Sequence, residues 1–309
     1  MDYVRLGRSG LSASVLGLGG GSSSRFGLVG GGSKADAIAL IRKAFDLGIT
    51  LFDGAGAVGG VDEILGEAVR PFRHLAVLSS KVHIGPDPIF FRRNSLPNRA
   101  AMRFASALDY VCSGDVLRRR VENCLKSLGT AHIDILHLHA VSPGQYPAVV
   151  RRLAPTLMRL KEEGKIRAIG IIEAFSRDPE HVMLRTALDG PFADTVMAGF
   201  NLFANGAAKT VFPSARRQDV GVFAMSALRG VARHEREIGP LLAEHGVPDL
   251  AHLAYRYCRH HAGVDVVLTG TGDMAHLRRN VDAALSRSLP AALLGALARL
   301  SNATPSSNR

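Results

Sequence analysis

Acidic, basic and imidazole side chains stand at the ends of successive apolar runs in this sequence. They are Asp53, Lys81, His83, His139 and Glu173. When a lysine, histidines and carboxylates are brought to one place, they shift one another's pKa values and can exchange protons with a bound molecule. For any single one of them the alternative is structural, because a strand-end lysine extends its ammonium to solvent and a core histidine is held by hydrogen bonds. The pattern therefore predicts an acid–base site if the ends of the runs meet.

The elements that bring these residues together are predicted from the runs themselves. Each run is short and rich in β-branched residues or leucine, which is typical of a buried strand. Between the runs, apolar residues recur every three or four positions, which indicates amphipathic helices with a serine before them or a glycine after them. These boundary residues are Ser33, Gly48, Ser113, Gly129 and Gly164. The eight runs cover residues 15–18, 49–52, 75–78, 133–138, 166–172, 194–200, 220–225 and 264–268.

Strands that alternate with helices pair in parallel, and eight such units close into a (β/α)8 TIM barrel of the α/β class. The reactive groups of such a barrel project from the carboxyl ends of its strands, so one mouth is expected to hold the site. A doubly wound sheet is the competing architecture. Against it, the glycine string from Gly17 to Ser22 lacks the third glycine of a dinucleotide fingerprint and does not lead directly into a helix. We therefore predict a flexible loop for this string.

The length and composition fit one such domain. The chain has 309 residues, of which 47% are hydrophobic and 21% charged, and this composition excludes a disordered or fibrous protein. We expect a single domain over residues 1–300 and a disordered tail over residues 301–309, where the sequence is small and polar. The long segment 84–113 interrupts the regular spacing and is expected to overhang the mouth.

Charge and cysteine content limit the partners. The net charge is +11, but no basic run is interleaved with aromatic residues and the chain has no tryptophan, so a nucleic-acid partner is not expected. No apolar run is long enough for a membrane span, and no signal-peptide pattern opens the chain. The three cysteines are far apart and have no metal-ligand spacing, which predicts no metal site and favours a reducing cytoplasm.

Six segments of the chain resemble, in order, the landmarks of the aldo-keto reductase superfamily. Four of them read LFDGAGAVGGVDEILGEAV, LSSKVH, RRRVENCLKSLGTAHIDILHLH and VLTGTGDMAHLRRNVDA. The resemblance implies a barrel with a short N-terminal β-hairpin, a nicotinamide dinucleotide extended over the mouth, and a tetrad of Asp, Tyr, Lys and His that reduces carbonyls. Asp53, Lys81 and His139 fall on three of the four catalytic positions. Val58 stands at the position of the proton-donating tyrosine, and a valine cannot donate a proton.

The resemblance also assigns contacts to the nicotinamide ring. Glu173, Met197 and Met225 stand at positions that it places beside the ring. A methionine thioether packs against a ring but cannot make the hydrogen bonds of an amide side chain. An ionised Glu173 would stabilise the oxidised, positively charged nicotinamide or expel the cofactor head.

The positions assigned to the cofactor phosphates match the family more closely. They are Ser226, Leu228, Gly230, Gly270, Thr271, Gly272, His276 and Asn280. Backbone N–H groups at a helix N-terminus suit a phosphate. Gly270 and His276 stand where the family commonly has the Lys and Arg that hold a 2′-phosphate, so Arg278 or Arg279 must take their place. On this basis the resemblance favours NADP(H) over NAD(H).

The first functional hypothesis is an NAD(P)H-dependent oxidoreductase that acts on a small carbonyl compound or a sugar-like alcohol. The proton donor is then His139, a loop tyrosine or a water molecule. Tyr110 and Tyr146, with Val58, are the candidates for substrate contact, although both tyrosines also suit loop packing.

Two further hypotheses keep the barrel but not the redox reaction. One is an elimination or isomerisation in which Lys81, His139 and Glu173 transfer protons. The other is a regulatory protein that binds a nucleotide without turning it over. A barrel fold does not decide among them, because barrels host many reactions.

Overall fold

The computed structural model describes residues 1–21, 24–56, 60–86 and 109–303, with the side chains of residues 302 and 303 excepted. Val58 and most of the segment 84–113 therefore lie outside the described residues. The strands are β1 (Tyr3–Arg5), β2 (Ser12–Ser14), β3 (Leu16–Gly19), β4 (Leu51–Asp53), β5 (Val77–His83), β6 (Ile133–Val141), β7 (Ile166–Glu173), β8 (Thr195–Gly199), β9 (Gly221–Met225) and β10 (Val266–Thr269). Eight of them are parallel and form a closed barrel in the order β10-β3-β4-β5-β6-β7-β8-β9.

Each of the eight apolar runs overlaps one strand of this barrel, so the predicted (β/α)8 architecture is confirmed. The glycine string is only partly a loop, because Gly17 and Gly19 belong to β3. Gly17 faces the barrel interior, where a Cβ atom would overlap the side chains of Leu51 and Leu268. A glycine is required there by this close approach and not by loop flexibility.

Helices surround the barrel and cover its outer face. The predicted boundaries hold for the first of them, where Ser33 accepts from the N–H of Asp36 in a capping box. Ser113 caps the helix before β6, which ends at Gly129 in the left-handed conformation (φ +59°). The helices are α1 (Lys34–Asp46), α2 (Val61–Val69), α3 (Gly114–Leu128), α4 (Tyr146–Glu162), α5 (Val182–Ala187), α6 (Ala207–Thr210), α7 (Phe212–Arg217), α8 (Glu235–Glu244), α9 (Leu250–Arg259), α10 (Met274–Leu285) and α11 (Ala291–Ala303).

The amino-terminal end of the barrel is closed by a hairpin. β1 pairs antiparallel with β2, which confirms the expected N-terminal hairpin. Leu6 and Leu11 of its turn are buried in one cluster with residues that point into the barrel, including Leu51, Val77 and Ile135. Because this end is filled with apolar side chains, polar groups inside the barrel lie toward the opposite mouth.

The last helix enters the segment predicted as a tail. α11 continues to Ala303, and the buried hydroxyl of Ser301 donates to the carbonyl of Leu202 at 3.1 Å. Residues 304–309 lie outside the described residues. None of the helices in the described part of the chain is both long enough and apolar enough to cross a membrane.

Candidate active site at the carboxyl end of the barrel

Strand alternation decides which side chains enter the barrel. Val77 and Ile135 belong to the interior cluster, so every second residue after them on β5 and β6 also points inward. The inward residues toward the mouth are Ser79, Lys81 and His83 on β5, and His137 and His139 on β6. The register places Lys81 beside His137 and His83 beside His139.

An ion pair lies just inside the mouth. The Nζ atom of Lys81 lies 2.6 Å from Oδ2 of Asp53, and the two side chains are 11% and 4% exposed. The Ser79 hydroxyl donates to the other oxygen of Asp53 at 2.9 Å. The structure therefore brings together two of the three predicted catalytic residues and fixes the carboxylate through both of its oxygens.

The network continues below this pair to His137. Its Nδ1 atom lies 3.0 Å from the Ser79 oxygen, and its Nε2 atom lies 3.4 Å from the Thr195 hydroxyl. Since the Ser79 proton goes to Asp53, the imidazole donates from Nδ1 and accepts at Nε2. Burial, together with the charge of Lys81, lowers the pKa of His137 to about 3, so the ring is neutral near pH 7. Gly170 makes room for this ring, because a Cβ atom there would overlap it.

His139 lies above this network and contacts His83. The two imidazole rings meet edge to face with centroids 4.7 Å apart. The Nδ1 atom of His139 is buried, and no residue in the described part of the chain hydrogen-bonds to it. Burial and the nearby His83 and Lys81 lower the pKa of His139 to about 3. His139 is thus a neutral ring at the mouth whose buried Nδ1 atom is not satisfied by any described residue.

Glu173 does not join this cluster. Ile169 and Ile171, which share its side of β7, pack in the layer between sheet and helices, so Glu173 also points away from the barrel axis. One carboxylate oxygen accepts from the N–H of Gly199 at 2.7 Å and the other lies 2.8 Å from Nδ1 of His181. Burial raises the pKa of Glu173, and His181 and Gly199 oppose that shift. Its carboxylate is therefore enclosed between β7, β8 and the start of α5.

The two methionines predicted beside the nicotinamide both face the barrel interior. Met197 is buried in the interior cluster, and Met225 packs against that cluster while partly exposed. The Phe175 ring covers Gly199 so closely that a Cβ atom at that position would overlap it. The Phe175 ring therefore covers the end of β8, and the guanidinium of Arg229 lies over this ring at 5.9 Å from its centroid.

The loop after β9 contains three of the predicted phosphate-end residues. Ser226 is in the left-handed conformation (φ +68°), Leu228 is 39% exposed, and Gly230 precedes a 3₁₀ turn. The buried amide of Asn201 donates to the carbonyls of Ser226 and Arg229 at 3.0 and 3.2 Å. Asn201 therefore fixes the course of this loop.

The loop after β10 contains the remaining predicted residues. Gly270, Gly272 and His276 are exposed, while Thr271 and Asn280 are buried. The Asn280 amide donates to the Thr269 hydroxyl at 2.8 Å, so it holds the end of β10 in place. Backbone at Gly270 and Gly272 thus lies open at the mouth.

The N-terminus of α10, which follows this loop, is already capped. The carboxylate of Asp273 accepts from the N–H of His276 at 2.7 Å. Gly272 also lies directly against the backbone of Gly27, in the loop after β3. The first and last barrel loops therefore meet beside the exposed glycines.

The tyrosines predicted to contact substrate lie in different surroundings. Tyr110 is 44% exposed, and its carbonyl accepts from the Gln145 amide at 2.9 Å. Tyr146 starts α4 and is buried in the layer between sheet and helices, so the structure does not place it at the mouth. Val58 lies outside the described residues. Within the described ranges, no group of three or more His, Cys, Asp or Glu side chains is arranged to hold a metal ion.

Several residues that shape the site have no signal in the sequence. Asp62 accepts from the N–H of Ala55 at 2.7 Å and from the Ser80 hydroxyl at 2.9 Å, which fixes the chain after β4. Arg120 on α3 donates to the carbonyls of Gly85 and Pro86 at 2.8 and 2.9 Å, which fixes the chain after β5. These contacts join residues distant in sequence and leave no local signal. The role of Ser79 follows from strand alternation with Lys81.

Comparisons with known proteins identify the family of the chain. The sequence profile described as "Aldo/keto reductase family" matches residues 15–301. L-galactose dehydrogenase of Arabidopsis thaliana is 28% identical over 168 residues, which cover 54% of this chain and 46% of that protein. This alignment thus spans about half the length of the relative. Pyridoxal 4-dehydrogenase of Microbacterium luteolum is 28% identical, with 89% and 91% of the two chains covered. An aldo/keto reductase from Klebsiella pneumoniae, solved in complex with NADP and acetate, superposes with a TM-score of 0.70 at 23% identity, covering 97% of this chain and 95% of that one.

Proposed function

The chain belongs to the aldo/keto reductase family of oxidoreductases, and we propose that it interconverts a small carbonyl compound and its alcohol with NAD(P)(H). The observation that carries this proposal is the pair of Lys81 and Asp53, held 2.6 Å apart at the mouth. His139 lies nearby on the neighbouring strand β6, and among the described residues none hydrogen-bonds to its Nδ1 atom. A cation and a neutral imidazole beside an open mouth suit a carbonyl oxygen that gains negative charge. In the sequence resemblance Val58 stands at the position of the family's tyrosine, so we propose that another group supplies the proton.

The residues at the mouth fit a nicotinamide dinucleotide. The backbone is exposed at Gly270 and Gly272, and the neighbouring Ser226–Gly230 loop is fixed by Asn201, which together offer N–H groups to phosphate oxygens. When bound, the dinucleotide supplies or accepts the hydride. The chain's own residues orient the substrate oxygen and donate or accept its proton.

We propose NADP(H) as the preferred form. The exposed side chains of Arg278 and Arg279 on α10 support this preference, because guanidinium groups pair well with phosphate. The carboxylate of Asp273 disfavours binding of the 2′-phosphate, because it caps the same helix and repels a second anion there. The relative solved in complex with NADP supports the same choice.

The proposed substrate is a small, polar carbonyl compound or sugar-like alcohol. The names of two relatives, an L-galactose dehydrogenase and a pyridoxal 4-dehydrogenase, support a hydroxylated substrate. The non-redox alternative needs Glu173 as a proton carrier. Its buried pairing with His181 and Gly199 argues against that role.

A ligand-dependent stability measurement tests the cofactor proposal. A dinucleotide at 100 times its dissociation constant adds about 2.7 kcal/mol to the free energy of unfolding, so NADPH should raise the melting temperature. The double variant Arg278→Ala/Arg279→Ala should lose much of the NADPH shift and keep the NADH shift. If neither nucleotide shifts the wild type at millimolar concentration, the proposed function is wrong. Turnover is then followed at 340 nm with small aldehydes, ketones and sugars.

A further inference from the structure

A second histidine occupies the outermost inward position of the mouth. His83 ends β5, and the register places it directly beside His139 of β6. The rings meet edge to face at 4.7 Å with an interplanar angle of 89°. The backbone on its far side is held by Arg120, which donates to the carbonyls of Gly85 and Pro86. The position of His83 is therefore set from two sides.

The other described titratable groups of the mouth are less suited to exchange protons with solvent. Lys81 and Asp53 form an ion pair with each other. His137 is completely buried beneath them, with Ser79 and Thr195 at its two nitrogens. His139 is largely enclosed. His83 is exposed and also contacts His139, so it connects solvent with the interior of the mouth.

From this placement we propose that His83 donates the proton to the substrate oxygen, while His139 positions its ring. This inference rests on the proposed reductase function, in which the hydride comes from a reduced nicotinamide dinucleotide. In the step, an N–H bond of the His83 imidazolium breaks and an O–H bond forms on the substrate oxygen as the carbonyl becomes an alcohol. The neutral His83 then takes a proton from water, to which its exposed ring has access.

The charges around His83 give this step a distinctive pH dependence. Lys81 lies two residues before it on β5, Arg120 faces it from α3, and His139 faces it from β6. Partial burial, then the positive charges of Arg120 and Lys81, lower the pKa of His83 below its usual 6.5. The imidazolium form is therefore lost as the pH rises through a value below 6.5, and kcat/KM for carbonyl reduction should fall over that range. A phenolic proton donor stays protonated to far higher pH.

The variant His83→Gln tests the proposal, with His74→Gln as the control because His74 is also an exposed histidine but lies at the opposite end of β5. We expect His83→Gln to lower kcat for reduction by 10²- to 10⁴-fold, as for loss of a general acid. The fall of kcat/KM with rising pH should disappear in this variant. The NADPH-dependent rise in melting temperature should remain, and His74→Gln should match the wild type in every measurement.

A second readout does not require turnover. In the NMR spectrum of the protein with NADP⁺, the ring signals of His83 should shift on addition of an unreactive substrate analogue, and their titration midpoint should move. Any of three results would overturn the inference: a kcat for His83→Gln within threefold of the wild type, an unchanged pH profile, or His83 signals that do not shift with the analogue. If NADPH still binds, the proposed function is not affected by these results. Absence of nucleotide binding to the wild type would overturn both.

Discussion

The buried imidazole of His137 should make the folded protein sensitive to acid. In the folded state its pKa is lowered to about 3 by burial and then by Lys81, whereas an unfolded histidine titrates near 6.5. Between these two values the unfolded chain binds a proton that the folded chain does not. The free energy of unfolding therefore decreases as the pH falls from 6.5 toward 3.

The size of the effect follows from the two pKa values. Between the two pKa values, each pH unit of acidification lowers the free energy of unfolding by about 1.4 kcal/mol. For this one side chain, the decrease from pH 7 to pH 4.5 is about 2.5 kcal/mol. Other groups also titrate over this range, so the wild type alone does not isolate the contribution. The variant His137→Gln removes it, because glutamine does not titrate.

The assay is urea unfolding at pH 7 and pH 4.5. We expect His137→Gln to be less stable than the wild type at pH 7, where it loses the packing of the ring and the hydrogen bonds to Ser79 and Thr195. Its further loss of stability on acidification should be smaller than that of the wild type by about 2.5 kcal/mol. The exposed control His74→Gln should keep the wild-type slope. Equal acid-induced losses of stability in the wild type and His137→Gln would show that His137 does not cause the acid sensitivity.

Three further predictions concern a glycine inside the barrel, the buried ion pair and the cysteines. Gly170→Ala should lower the free energy of unfolding by about 1–3 kcal/mol, because the added methyl overlaps the His137 ring. The control Gly190→Ala, where no atom lies close to the added methyl, should lower it much less in the same urea titration. Lys81→Met should lower the free energy of unfolding by about 3–5 kcal/mol, because it leaves the Asp53 carboxylate buried without its cation. If the effects of Lys81→Met and Asp53→Asn on stability were additive in a double-mutant cycle, this pairing would be contradicted. All three cysteines are buried, so Ellman's reagent should react with the native protein only as it unfolds. Rapid labelling at neutral pH would show that this burial is wrong.

The strands and helices of the barrel were largely predictable because their signals are local. Apolar runs mark the strands, and the serine and glycine boundaries of α1 and α3 mark the ends of two helices. The pairing of Lys81 with Asp53 also follows from sequence, since both stand at the ends of parallel strands. What the runs do not specify is register, which places His83 directly beside His139.

Glu173 shows why the rest of the site could not be predicted. The residues before it on β7 are apolar on both faces, since Ala168 faces the barrel interior and Ile169 faces the helices. A strand buried on both sides has no alternation of polar and apolar residues from which to predict the direction of its last side chain. Its partner His181 stands eight residues later in a loop, at the N-terminal boundary of α5. Asn201 is similar, because its carbonyl partners lie in the loop after the next strand.

Closure of the barrel has a consequence for synthesis on the ribosome. β3 pairs with β10, which joins residues 16–18 to residues 267–269. During translation, β3 therefore has an unpaired edge until almost all of the chain has emerged, and such an edge can pair with strands of other nascent chains. Completion of the ring must wait for the last strand, which makes it a late event with a large sequence separation. A ribosome stalled shortly before residue 266 should expose an incomplete seven-stranded sheet that recruits chaperones, whereas release of the full chain should bury both edges in one step.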